Sequence, residues 1–141
     1  MSRTESKPRN AVELIVKTTT REQFVDITAQ VRSIVEQAGV PSGYCIIFCP
    51  HTTAALTVNE NADPDVVSDF IMEMAKIVPK DPKFRHSEGN SDAHIKSSLF
   101  GSSLHIIVEN ANLLLGQWQG IYFCEFDGPR PRTVWVKVIE G

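Results

Sequence analysis

Residues 103–140 read SLHIIVENANLLLGQWQGIYFCEFDGPRPRTVWVKVIE. Within them "SLHIIVEN", "NLLLG", "QWQGIYFCEF" and "TVWVKVIE" are rich in β-branched and aromatic residues. The turn-forming groups "ENAN" and "DGPRP" separate them, so the segment predicts successive antiparallel strands. Helical periodicity lies almost entirely before it, with no regular β–α–β alternation. That arrangement predicts an α+β fold: a single domain with a curled antiparallel sheet, a sandwich or partial barrel, and helices packed on one side.

Working back toward the N-terminus, the polar loop "KDPKFRHSEGNSD" leads into a predicted short helix, "AHIKSSLFG", with Ser91 or Asp92 as its cap. In "NADPDVVSDFIMEMAKIVP", Asp63 is suited to the N-cap and Pro64 to the first helical position. Val67, Phe70, Ile71, Met74 and Val78 form an apolar stripe, so this is the main helix, ended by Pro79. "TAALTVN" and "GYCIIFCP" predict strands, the second buried. In "AQVRSIVEQAG", Val31, Ile34, Val35 and Ala38 keep helical spacing, Thr28 is placed to cap the start and Gly39 to end it. "VELIVKTT" and "EQFVDIT" predict two more strands. Residues 1–10 are polar and predict a flexible tail, leaving 11–141 as one domain.

The chain has 141 residues, 42% apolar and 22% charged, which suits one globular domain with its own core. Its net charge is −3, and the basic group "GPRPRTVWVK" near the C-terminus holds only three cations. Neither favours nucleic acid as a partner. No stretch has the length or apolarity of a membrane span, and the first ten residues lack the apolar core of a signal peptide. The expected setting is the cytoplasm, and the three cysteines, Cys45, Cys49 and Cys124, suit a reducing compartment. Four strand residues span about 13 Å, so Cys45 and Cys49 cannot pair; they read as small apolar fillers rather than as half of a zinc site.

Four histidines carry most of the chemical interest: His51, His86, His94 and His105. His51 ends a buried strand in "CPHTT". His86 and His94 both lie in "HSEGNSDAHIKSS", a run with almost nothing apolar. Imidazole is the commonest metal ligand, and catalytic zinc takes three protein ligands and keeps one position open. A loop is able to bring His86 and His94 onto one ion, but the spacing matches no strict ligand motif. The alternative is a loop whose Gly89, Ser91 and Asp92 only turn the chain and cap a helix. His105 alternates with Leu104 and Ile106 on a strand and so occupies the opposite face. In "TVNENADPD", Asn59 and Glu60 extend a strand with hydrogen-bonding groups. In "GQWQGIYFCEFDGPR", Gln119 lies on a strand, Gly120 signals a close backbone approach, and Arg130 offers a planar fork for phosphate or carboxylate. Trp118 is expected in the core.

The segments "HTTAALTVNENADPDV", "HSEGNSDAHIKSSLFGSS" and "LLLGQWQGIYFCEFDGPR" resemble the YjbQ-like family, also called the secondary thiamine-phosphate synthase family. The match covers most of residues 51–130 in the family's order and spacing. The resemblance implies a homotrimer with sites near subunit contacts and a bound divalent metal, most simply zinc, on His51, His86 and His94. The family's E-G signature falls on Glu88 and Gly89. "GNSDAHI" departs from the family's D-N-M or D-N-A run, which shifts the aspartate to Asp92. The activity behind the family name joins a pyrimidine-methyl diphosphate to a thiazole phosphate. Lys96, Ser97, Ser98 and Arg130, with Asn59, Glu60 and Gln119, are then the expected substrate-binding groups. Glu88 and Asp92 are the expected acid/base residues. The word "secondary" implies a side activity, and another small phosphorylated or anionic molecule is the expected physiological substrate. A metal-assisted hydrolase and a non-catalytic trimeric metal- or anion-binding protein are the rival readings.

Overall fold

A computed structural model describes residues 10–141; the expected tail otherwise lies outside the described residues. The chain runs β1 (Val12–Lys17), β2 (Gln23–Asp26), α1 (Thr28–Ala38), β3 (Ser42–Phe48), β4 (Ala54–Glu60), α2 (Pro64–Ile77), α3 (Ser91–Phe100), β5 (Ser103–Glu109), β6 (Asn112–Leu113), β7 (Gln119–Glu125) and β8 (Pro131–Glu140). Two antiparallel sheets result, one ordered β1-β8-β3-β5-β6 and one ordered β2-β7-β4. The fold is α+β with a curled sheet, as the strand-rich second half of the sequence predicts.

The strands alternate as half-buried strands must. Val134 and Val136 on β8, Cys45 and Ile47 on β3, and Ile106 and Val108 on β5 face inward. They meet Leu56, Ile121 and Phe123 of the second sheet and Val31 and Val35 of α1 in one core. A smaller cluster, Ala55, Ala93, Tyr122, Cys124 and Phe126, forms where α3 lies on β4. All three cysteines are free and buried. Burial pushes the Cys45 and Cys49 thiols up to about 11, so they are neutral fillers.

Several local expectations are corrected. The cap of α1 is the Asp26 carboxylate, which accepts from the Thr28 amide at 2.9 Å; the Thr28 hydroxyl instead accepts from the Ile121 amide at 2.8 Å, pinning the helix to β7. Gly39 does end α1, at φ 65°. Asp63 caps α2 as expected, accepting from the Asp65 amide at 2.9 Å. But α2 contributes no buried residue, and its apolar stripe is only partly covered, through Phe70 against Phe24 and Phe100. The start of α3 is Ser91, and its cap residue Asn90 makes no side-chain capping bond. Trp118 is 58% exposed, because it precedes β7 at an open sheet end. Gly120 has the foreseen close approach: a Cβ there would sit 2.4 Å from Asn61 Nδ2.

Two of the loops that carry the chain between sheets are a first crossing at 49–53 (β3 to β4) and a second at 126–130 (β7 to β8). A fully buried ion pair joins the crossings. Arg132 on β8 donates from Nε to Glu125 Oε1 of β7 at 2.9 Å and from Nη2 to Glu125 Oε2. The same Nη2 reaches Thr53 Oγ1 at 2.9 Å. The Thr18 hydroxyl donates to Glu125 Oε1 at 2.7 Å. Burial alone would raise the Glu125 carboxyl, but Arg132, Thr18 and the Asp127 amide outweigh it and hold it below the ordinary glutamate value. Glu125 therefore contributes stability above its unfolded value, about 4.3, and that contribution is lost as pH falls through the lower folded value. Glu125→Ala strands a buried guanidinium and should cost about 3–5 kcal/mol in urea unfolding at neutral pH. The gap between the two proteins should narrow as the medium is acidified below about pH 4; a gap that does not change with pH would contradict this account.

Candidate functional site

The first crossing carries His51 and faces α3. Ser97 of α3 donates to the Thr52 carbonyl at 2.7 Å, and the Cys49 amide donates to the Ser102 carbonyl at 2.8 Å. These bonds fix the helix against the crossing. Between them lies an open hollow of roughly 470 Å³, lined by His51, Thr52, His94, Ser97, Ser98 and Ser102, with Ala54 and Gly101. On its other side His94 meets His86, whose ring lies edge-on at 5.3 Å between centroids. Glu88 Oε1 is 4.0 Å from His86 Nε2, on an exposed side chain. A second hollow of roughly 400 Å³ runs past His86, Gly89 and Asp92 to Lys80 and Phe84.

His94 is therefore the link: it shares one hollow with His51 and one ring contact with His86. Among the described residues no three His, Cys, Asp or Glu side chains form a ready metal-ligating cluster. His51 Nε2 accepts from the Thr133 amide at 2.9 Å, so its neutral ring carries the proton on Nδ1. Three imidazoles fit a divalent metal chemically, and two of them already touch. The third needs its ring turned away from Thr133 to bring Nε2 to an ion. Asn90, one helical turn before His94, adds a buried amide oxygen with no partner, an acceptor waiting for a donor.

Beneath the histidines, the start of α3 is held by charge. Asp92, 2% exposed, accepts from Arg21 Nη2 at 3.1 Å and Nη1 at 3.3 Å and stands 3.5 Å from Lys96 Nζ. Lys96 is equally buried and donates to Glu22. Asp127, in the second crossing, accepts from Asn90 Nδ2 at 2.7 Å and from Arg130 Nη2 at 3.3 Å. Burial pushes the Asp92 carboxyl up, but the Arg21 and Lys96 charges more than reverse it and hold it below the ordinary aspartate value. Asp92 is thus a locked anion at neutral pH.

The expected site residues fall into three groups. His51, His94, Ser97 and Ser98 line one hollow, and His86 and Glu88 adjoin it. Asp92, Lys96 and Arg130 belong to the ionic layer that sets α3. Asn59, Glu60 and Gln119 stand apart: Glu60 pairs with Gln119 at the end of β4 opposite Ala54, six strand steps or about 20 Å from the hollow. His105 is exposed on the outer sheet face, as its alternation predicts. Sequence reading missed Arg21, Glu22 and Thr133. Arg21 and Glu22 sit in a polar turn that looks solvated, and Thr133 acts through its backbone, which leaves no residue signal.

Comparison with known proteins agrees with this frame. Residues 12–141 match the family model described as UPF0047 protein YjbQ-like. The chain is 52% identical over 127 residues to UPF0047 protein YugU of Bacillus subtilis, covering 89% of this chain and 96% of that one. It is 52% identical over 124 residues to a UPF0047 protein of Methanocaldococcus jannaschii, covering 88% and 90%. A solved YjbQ/UPF0047 family protein from Clostridium acetobutylicum superposes with a TM-score of 0.89 at 55% identity, over 91% of this chain and 99% of that one. A YbjQ-like protein of unknown function from Sulfolobus solfataricus also gives 0.89, at 30% identity, over 93% and 96%. With its fold, its length and its motif segments all matched, the chain belongs to the YjbQ-like UPF0047 family.

Proposed function

We propose that the chain is a metal-dependent enzyme acting on a small phosphorylated or anionic molecule in the hollow between the first crossing and α3. The observation that carries this reading is the contact of His86 with His94 beside a hollow that His94 shares with His51. A zinc ion on His86, His94 and a reoriented His51 would supply positive charge for a leaving oxyanion while three neutral ligands leave its charge undiminished. The transfer implied by the family name, with diphosphate as leaving group, has that requirement.

The chain's own groups divide the remaining work. Ser98 and Ser102 offer hydroxyl donors at the rim of the hollow. Ser97 instead holds the helix to Thr52. Glu88, exposed and 4.0 Å from His86, is free of structural duty and is the proton-transfer group. Asp92, spent on Arg21 and Lys96, is a positioning residue that aims His94 rather than a proton carrier. The outer face of the larger sheet, with Ile15, Tyr44, Phe48 and Ile107 uncovered, supports the homotrimeric assembly.

Metal analysis of protein purified without an affinity tag is the primary test: about one equivalent of zinc per chain is expected, and metal-free protein that also fails to take up added zinc would end the reading. His94→Ala should abolish metal binding, and His86→Ala should lower it sharply. His105→Ala should leave the metal content unchanged, since His105 lies on the far face.

Glu88→Gln should keep its metal and lose turnover on a phosphorylated substrate by roughly 10²–10⁴-fold. Loss of the metal in that variant would make Glu88 a ligand instead. Asp92→Asn should retain the fold at lower stability, weakened by about 1.5–3 kcal/mol for the charged hydrogen bonds removed. It should not shift the pH–rate profile; a shifted profile would make Asp92 a proton carrier after all.

A further inference from the structure

Two unlike apolar surfaces remain uncovered on each chain. One is the outer face of the five-stranded sheet. Because Val134, Val136, Cys45, Ile47, Ile106 and Val108 point inward, the alternate residues point out. Across β1, β8, β3 and β5 these include Ile15, Trp135, Phe48, Tyr44 and Ile107, with Trp135 stacked on Phe48 at 6.1 Å. The other is the free side of α2. Val66, Phe70, Met74 and Ile77 line a groove there of roughly 390 Å³, edged by Asp69 and Glu73.

The two surfaces match in length, and the middle of the sheet face, between Glu13 on β1 and Glu109 at the end of β5, matches α2 in charge and hydrogen bonding. The 14 residues of α2 make a rod of about 21 Å, and the seven-residue strands β3 and β5 run about 23 Å. At the middle of the sheet face Ile46 has Lys137 on one neighbouring strand and His105 on the other. Lys137 is a cationic partner, and His105 a hydrogen-bonding one, for Asp69 and Glu73. Trp135 Nε1 is buried on this face with no acceptor among the described residues, and a carboxylate on the approaching helix would satisfy it. Glu13, opposite Trp135 on β1, leaves that indole unpaired within the chain.

We propose that α2 of one copy docks on the outer sheet face of the next, with Asp69 and Glu73 set against Lys137 and His105 and the Val66–Phe70–Met74–Ile77 stripe on Tyr44, Phe48 and Ile107. Because the two patches differ, the contact is head-to-tail, and such a contact closes into a ring when its rotation allows. The inference rests on the assembly reading above and specifies which surfaces meet. It also gives the uncovered side of α2, whose other side meets Phe24 and Phe100 within its own chain, a reason for its apolar residues.

Sedimentation at micromolar concentration separates the two claims. Wild-type protein is expected near three times the 15.7 kDa chain mass. The Asp69→Lys, Glu73→Lys double variant and, separately, Ile77→Asp should fall to the single-chain mass with helical content retained. Ile77 is 62% exposed, so its loss leaves the core intact. Adding Lys137→Glu to the reversed helix should restore part of the assembly. A monomeric wild type would overturn both readings. A wild-type oligomer that all these variants leave intact would overturn the docking alone. Introduced cysteines fix the orientation, the native three being buried. An equimolar mixture of Glu73→Cys and Lys137→Cys chains should form the mixed disulfide dimer. Efficient cross-linking of Tyr44→Cys chains to one another would instead mean sheet-to-sheet packing and would overturn the proposal.

Discussion

The buried pair of Arg132 and Glu125 is the constraint on which the site depends. It joins the last residue of β7 to the second residue of β8, and so one sheet to the other. Through Thr53 it grips the crossing that carries His51, and through Thr18 it grips the end of β1. A guanidinium and a carboxylate this deep persist only when each remaining hydrogen-bonding position is filled. Here the filling groups are the loops that shape the hollow. Gly128 reflects the same crowding, since a Cβ there would meet the Thr20 carbonyl at 2.6 Å and Thr18 Oγ1 at 2.7 Å.

A second, less buried ionic layer performs the parallel task for α3. Arg21 and Glu22 come from the link before β2, Asp92 and Lys96 from the helix, and Asp127 and Arg130 from the second crossing. Their charges balance in sign, so the layer sets the position and rotation of the helix without giving the hollow a strong net potential. Rotation is what matters: with Asp92 and Lys96 turned inward, His94 faces the hollow and His86. One side of a short helix thus anchors while an adjoining side presents chemistry.

Much of this was legible in the chain. Period-two patterning located the strands after residue 100, and the Asp-Pro pair and Gly39 set helix boundaries, because these signals depend only on neighbours in sequence. The same patterning set His105 on the outer face. The histidine-bearing loop was also visible, since polar residues crowded without an apolar stripe have no packing explanation. The role of Asp92 was not legible, because a carboxylate at the start of a helix looks alike whether it caps, catalyses or meets an arginine 71 residues away.

By itself, then, the sequence determined the α+β class, the strand and helix inventory, and the residues worth chemical attention. Only the tertiary structure decided which of them act together. It split β1 and β2 between two sheets by pairing them with β8 and β7, contacts of long sequence separation that no local pattern specifies. It put Asn59, Glu60 and Gln119 at the opposite end of β4 from His51, because strand register converts a short sequence distance into a long spatial one. It left the apolar stripe of α2 only partly covered, since periodicity reports that a helix has an apolar side but not what that side will meet.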